Sequence, residues 1–165
     1  MEDLTENEMD DLLRTTRDGV LALSDGEDAY CIPFGFIYVG GAVYLSMFPT
    51  GKKWTYLTSN PLVCFNAYRW NDDHSEWASV VIKGRIEIER DMGAIESVVK
   101  AQEKKLGLDP AHSERRMEYY RKNLDNPGTL KILKIRIEAK SGRKERCFYA
   151  PTCRTGDTGE SPKGT

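Results

Sequence analysis

The sequence predicts a mainly β, α+β domain: a closed or nearly closed antiparallel β-barrel with peripheral helices. Three observations carry that expectation. Apolar and polar residues alternate through 77–90 and again through 129–138, as in strands with one face in a core and one face polar. Strand-like runs succeed one another through short turns built on Gly, Asn and Asp, as antiparallel neighbours do. The helical patterns are peripheral, with one leading the chain, one after the third strand and a pair before the last, so no parallel βαβ alternation arises. With 165 residues, 39% hydrophobic and 30% charged, the chain has enough material for one domain with a real core. A formal net charge of −2 gives no global pull toward nucleic acid or an anionic membrane. No apolar run approaches the roughly 18–20 residues that span a bilayer. Residues 1–8 are acidic and lack the regions of a signal peptide, so a cytoplasmic location is expected.

The elements follow in order. Thr5 and Glu8 form a capping box, with Leu4 and Met9 placed to close a hydrophobic staple around it. Met9, Leu12 and Leu13 make one apolar stripe, and Gly19 reads as the stop. Val20–Ser24 is a first strand and Asp25-Gly26 a turn. Tyr30–Val39 is a second strand, joined by the Gly40-Gly41 hairpin to Ala42–Met47. A helix starts at Gly51 and ends at Asn60-Pro61, where Val63–Trp70 resumes as strand. After the polar loop 71–76 comes the long strand Trp77–Arg90. Asp91 caps a helix carrying Ile95, Val98, Val99 and Leu106, with Gly107 as its stop. Asp109-Pro110 opens another helix, which Asn126-Pro127-Gly128 breaks. Thr129–Glu138 is the last long strand, and Ser141-Gly142 suggests a turn toward Arg146–Ala150. Residues 1–150 thus form a single domain and 151–165 a flexible C-terminal tail.

Cys31, Cys64, Cys147 and Cys153 are all read as free thiols. Cys31 and Cys64 sit in apolar runs, and no Cys-x-x-Cys pair or nearby histidine suggests zinc or any other metal. His74 and His112 lie in polar stretches and assemble no catalytic triad.

The segment 42–61 carries the strongest functional signal. A short strand runs into a helix whose first turn contains Lys52 and Lys53. A helix start has unpaired N–H groups and the positive end of the dipole, and two cations there oppose that dipole unless an anion offsets them. The pattern is that of a phosphate-sized anion site, although a solvated lysine pair on a surface helix would look the same in sequence. The second strand has a large row, Tyr30, Ile32, Phe34, Phe36 and Tyr38, and a small row, Cys31, Pro33 and Gly35. Small residues mark either a barrel bend or a place where a flat ligand lies against the backbone. Trp54 and Leu57 read as the core face of their helix, and Trp70 and Trp77 as packing or contact residues beside the polar loop.

Five short motifs in order resemble one family: Pro33-Phe34-Gly35-Phe36, Val43–Met47, Gly51-Lys52-Lys53, Asn60–Phe65 and Ser79–Arg85. They are similar to the FMN-binding split β-barrels related to pyridoxamine 5′-phosphate oxidase, and most to the small branch of nitroimidazole-resistance reductases. The resemblance spans about residues 4–140. It implies an FMN-binding split barrel and a homodimer with the flavin at the subunit interface. Gly51, Lys52 and Lys53, after Thr50, would hold the flavin phosphate. Cys31, Ile32, Pro33, Phe34, Gly35 and Phe36 would pass under the isoalloxazine ring. Ser46 and Met47 would touch the ribityl phosphate or ring edge, and Ser79 would hydrogen-bond the flavin. The implied activity is an FMN-dependent oxidoreductase passing electrons from a small-molecule donor to a small organic acceptor. No catalytic acid or base is assigned. A flavin or haem storage protein and a deazaflavin reductase on the same barrel are the alternatives. The chain lacks the histidine that the nitroimidazole branch often has near Ser46, and has Gly35 where that branch often has Asn. Residues 147–153 carry no arginine–histidine signature, so vitamin B6 synthesis is not expected. The apolar residues Phe148, Tyr149 and Pro151 suggest a tail folding onto the partner's pocket.

Overall fold

The computed structural model describes residues 1–146. The expectations for Cys147, Cys153 and the tail lie outside the described residues. Within them the chain forms one antiparallel sheet and four helices.

A two-residue strand β1 (Glu2–Asp3) leads into α1 (Glu6–Thr15), whose capping box is complete: the Thr5 side chain accepts from the Glu8 N–H and the Glu8 carboxylate accepts from the Thr5 N–H. The strands β2 (Asp18–Ser24), β3 (Ala29–Gly35), β4 (Ile37–Val39) and β5 (Ala42–Met47) come next, then α2 (Gly51–Ser59). β6 (Leu62–Trp70) and β7 (Glu76–Ile88) form a long hairpin. α3 (Met92–Leu106) and α4 (Pro110–Asn123) are capped by Asp91 and Asp109, and β8 (Lys131–Arg146) closes the described chain. The sheet order is β3-β2-β6-β7-β8-β5-β4, with β1 paired to β8. β3 and β4 lie at opposite ends of this order yet are consecutive in the chain, joined through Phe36. That join draws the two ends of the sheet together and curls it into a half-barrel. The predicted split β-barrel is the fold observed.

Three expectations are corrected. The single strand expected over Tyr30–Val39 is two, because Phe36 leaves both ladders. Its N–H donates to the Arg17 carbonyl at 3.2 Å, its carbonyl accepts from Lys105 Nζ at 3.0 Å, and its ring packs edge-on against Phe65. Burial lowers the Lys105 pKa to about 8. Gly19 is not a helix stop. α1 already ends at Thr16, and Gly19 lies in β2, where an added Cβ would sit 2.3 Å from Phe65 Cζ. Nor is Ser141-Gly142 a turn, because β8 runs unbroken for 16 residues. Gly142 is small so that α1 can dock, since a Cβ there would meet Met9 Cγ at 2.7 Å and Leu4 Cδ1 at 2.9 Å. A lesser difference is Leu106, which is exposed in the last turn of α3.

The core has two parts. Inside the half-barrel Leu12, Leu13, Leu21, Val43, Phe65 and Ile82 pack together with Tyr56 and Leu57 of α2. The second cluster sits outside the sheet, where Ile95, Val98 and Val99 of α3 and Met117 and Tyr120 of α4 cover Ile37, Tyr44 and Ile132. Helices therefore shield the outer face of β4, β5 and β8 at one end. Among the described residues no helix contributes to a cluster on the outer face of β3, β2, β6 and β7. The candidate site lies on and beside that bare half.

Candidate functional site

The alternation of β3 decides what it offers. Tyr30, Ile32 and Phe34 turn inward and pack against the core, while Cys31, Pro33 and Gly35 are exposed. Pairing carries this small face across the sheet in register. Cys31 lies opposite Ala22, and Ala22 opposite Cys64. Pro33 lies opposite Val20, Val20 opposite Asn66 and Asn66 opposite Val81. The result is a flat patch of small side chains on the outer surface. Of the predicted residues 31–36, Cys31, Pro33 and Gly35 face this patch; Ile32, Phe34 and Phe36 reach it only through their backbone. Cys31 and Cys64 are free thiols. They are separated by one intervening strand, about 10 Å, which is too far to bridge.

At the β5–α2 corner, Ser46 is half-buried and Met47 is buried in the core, followed by the exposed Phe48. α2 begins without help. Thr50 occupies the N-cap position but makes no side-chain cap hydrogen bond, and no acidic residue lies in the first turn. The first N–H groups of α2 thus keep their polarity directed outward, next to Lys52 and Lys53.

The two lysines differ in their surroundings. Lys52 Nζ lies 3.4 Å from Asp28 Oδ2, and 5.1 and 5.3 Å from the ring centroids of Tyr30 and Tyr56. The same carboxylate oxygen accepts from the Tyr56 hydroxyl at 2.7 Å. These two donors, Tyr56 first, hold the Asp28 carboxyl below its ordinary pKa. Lys53 is half-buried and makes no ion pair or hydrogen bond among the described residues. The contacts of Lys52 and Tyr56 with Asp28 link the start of α2 to the turn before β3, so residues 46–47 and 50–53 lie at the Cys31 end of the small-residue face, while Gly35 and Phe36 lie at the far end of β3.

Ser79 stands apart, three strands from β3 on β7, about 14 Å across the same outer face. Its hydroxyl accepts from Asn66 Nδ2 at 2.6 Å, and the same amide nitrogen donates to the Val80 carbonyl at 3.2 Å. Asn66 is a site-face residue that sequence reasoning missed. The signal was a lone amide at an outward position of a strand whose other outward residues are Leu62, Cys64, Tyr68 and Trp70.

A cavity of about 980 Å³ lies elsewhere, between α1 and the turn end of the β6–β7 hairpin, lined by Leu4, Leu12, Arg69 and Trp77 among others. None of the predicted residues lines it. Five carboxylates outnumber three cationic side chains among its lining residues, with Glu8 paired to Lys144 and Glu76 to Arg146, so it does not favour an anionic ligand. The patch on β3, β2, β6 and β7 is chemically the more eligible surface. Being flat, it can enclose a ligand only if a second surface covers it. No helix of the described residues is long and apolar enough to cross a membrane.

An antiparallel sheet curled into a half-barrel, with helices at its periphery, places the chain among the split β-barrel proteins. The chain belongs to the pyridoxamine 5′-phosphate oxidase family, which it matches over residues 5–144. No curated protein matches it. Among solved structures it is similar to an FAD-binding protein from Mesorhizobium loti, at 22% identity and a TM-score of 0.61, covering 87% of this chain and 97% of that one. It is similar also to the FAD-binding protein from Mycobacterium smegmatis, at 16% identity and a TM-score of 0.63, covering 89% and 100%. A candidate 5-nitroimidazole antibiotic resistance protein from Bacteroides thetaiotaomicron gives 17% identity and a TM-score of 0.62, covering 87% and 86%. At these identities the likeness establishes the fold.

Proposed function

We propose that this chain is a cytoplasmic flavoprotein that binds FMN between two copies of itself and serves as an oxidoreductase for a small organic acceptor. The observation that carries the reading is the α2 start, uncapped and flanked by lysine, set beside a flat exposed face of small residues. A phosphate suits the first and a planar ring the second. Family membership and the flavin-binding names of the structural neighbours support it. Thr50, Gly51 and the lysine pair would hold the phosphate, with Ser46 and Met47 adjoining. Cys31, Pro33 and Gly35, with the backbone of Ile32, Phe34 and Phe36, would support the ring. The Asn66–Ser79 pair would hydrogen-bond a ring or ribityl edge. When bound, the flavin supplies one- and two-electron redox chemistry; the protein orients it and excludes water. A second copy is part of the proposal because a flat face buries little of a ligand by itself.

The neighbours' names favour FAD as the second reading, since the same helix start could hold a diphosphate. The deciding measurement is the absorption spectrum of the purified protein, followed by heat release and chromatography of the chromophore. Released FMN supports the reading and released FAD replaces the cofactor. A Soret band, a deazaflavin, or a colourless protein that refuses added FMN overturns it. Reduced protein that is rapidly reoxidised by a nitroaromatic acceptor supports turnover; reoxidation by oxygen alone points to storage.

A further inference from the structure

We propose that Lys105 is a positioning residue: from the helix-covered half of the sheet it fixes the Gly35–Phe36 end of β3, and with it the flat face on which the flavin ring would lie. The positioning of the ring rests on the flavin reading; the tie between α3 and the join at Phe36 rests on geometry alone.

β3 ends the sheet order and, among the described residues, pairs with β2 alone. Its Cys31 end is anchored at the α2 corner through Asp28. Its other end runs into Phe36, which is buried and belongs to neither ladder. A buried carbonyl left unpaired there would be destabilising, and Lys105 Nζ supplies the donor at 3.0 Å. The same ammonium stands 4.3 Å from the centroid of the Phe36 ring, within cation–π range. Lys105 can hold this place because its helix is fixed. Ile95, Val98 and Val99 bury one face of α3, and Gly107, in the left-handed conformation, ends the helix just past the lysine. The start of β2 meets the same point, since the Arg17 carbonyl accepts from the Phe36 N–H and Asp18 pairs with Gly35. Asp18 and Arg17 act on the ammonium with opposite sign, and burial outweighs both, lowering its pKa to about 8. A half-buried ammonium with no carboxylate in an ion pair, among the described residues, is a costly donor for one carbonyl. That cost has a purpose if the place of Phe36 matters, because Gly35 beside it faces the exposed patch of small side chains.

The test uses the full chain and three readouts: FMN affinity by flavin fluorescence, visible circular dichroism of FMN at saturation, and hydrogen exchange at residues 35–37. Lys105→Met keeps a stem over the Phe36 ring but removes the charge and the donor. It should weaken FMN by about three- to tenfold and change the dichroism of the bound flavin. Exchange at 35–37 should quicken in the same variant. Lys105→Arg, which keeps a cation with N–H donors, should recover all three. Lys105→Gln, one atom shorter and uncharged, should behave as Lys105→Met does, and takes its place if that variant does not fold. Two controls separate position from charge and from stability. Lys104→Met removes a charge from the same turn of α3, and Thr5→Ala weakens the fold at α1; both should keep the wild-type dichroism. FMN affinity and dichroism left unchanged by Lys105→Met would overturn the positioning role, as would an equal change of dichroism in Lys104→Met. Exchange at 35–37 that ignores Lys105 would overturn the tie itself. A wild-type chain that binds no FMN overturns the flavin reading and the positioning role together, while exchange in the unliganded protein still decides the tie.

Discussion

Two helices begin in opposite ways. α1 opens with a full capping box and two acidic residues in its first turn. Asp10 then binds Tyr38 at 2.8 Å and Lys140 at 2.6 Å, and Glu8 binds Lys144 at 2.6 Å. α2 opens with no side-chain cap, no acidic residue and two lysines in its first turn. The first arrangement satisfies its own backbone and dipole; the second leaves both for something else. Within the same half-barrel, local stability is therefore concentrated where no ligand is proposed and withheld where one is. A surface helix under selection for stability alone would have resembled α1.

The largest break in this comparison comes from the docking face of α1. Leu13→Ala, at a fully buried position, should cost about 2–5 kcal/mol in urea unfolding. Glycines sharpen it next. Gly142→Val should cost about 1–3 kcal/mol, because Met9 and Leu4 occupy the space a side chain needs. A Cβ added at Gly35 meets nothing closer than 3.7 Å, so Gly35→Ala should change stability by less than about 0.5 kcal/mol while weakening FMN, read by thermal unfolding and fluorescence titration. At the caps the signs should oppose. Thr5→Ala should cost about 1 kcal/mol, whereas Thr50→Asp should stabilise by about 0.5–1 kcal/mol and weaken FMN by repelling its phosphate.

The smallest effect is in acid. Hydrogen bonds from Lys144 and then from the Thr5 N–H hold the Glu8 pKa at about 2, against an ordinary 4.5. A lowered folded-state pKa means that the contribution is whole above about pH 4.5 and is lost as pH falls toward 2. Asp10 shifts in the same direction: burial opposes ionisation, but Lys140 and Tyr38 outweigh it. Acid unfolding of Glu8→Gln should accordingly be flatter than wild type between those limits.

Much of the fold was legible because its signals are local. The capping box, the two aspartate caps, the Gly107 stop and the alternation of β7 each depend on residues a few positions apart. What was hidden depends on distant partners. Gly19 looks like a stop until Phe65 is placed above it, and Gly142 looks like a turn until α1 is seated on it. Phe36 breaks a run of alternating residues because Arg17 and Lys105, remote in sequence, take its backbone groups. The candidate corner was visible as a lysine pair before a helix. Asp28 was not, because a loop aspartate 24 positions upstream carries no mark of the lysine it meets.

The join at Phe36 also sets an order for making the molecule. Strands β3, β2, β6 and β7 can pair as soon as residue 88 has emerged from the ribosome. The β4–β5 hairpin forms early, but among the described residues its only other sheet partner is β8, whose pairing residues begin at Lys131. On the ribosome the first sheet is therefore tethered through a single residue to a hairpin with an unpaired edge, for at least as long as the two intervening helices take to emerge. The nascent chain carries its barrel open until nearly its last strand, and that interval is when it is most exposed to pairing with the wrong edge.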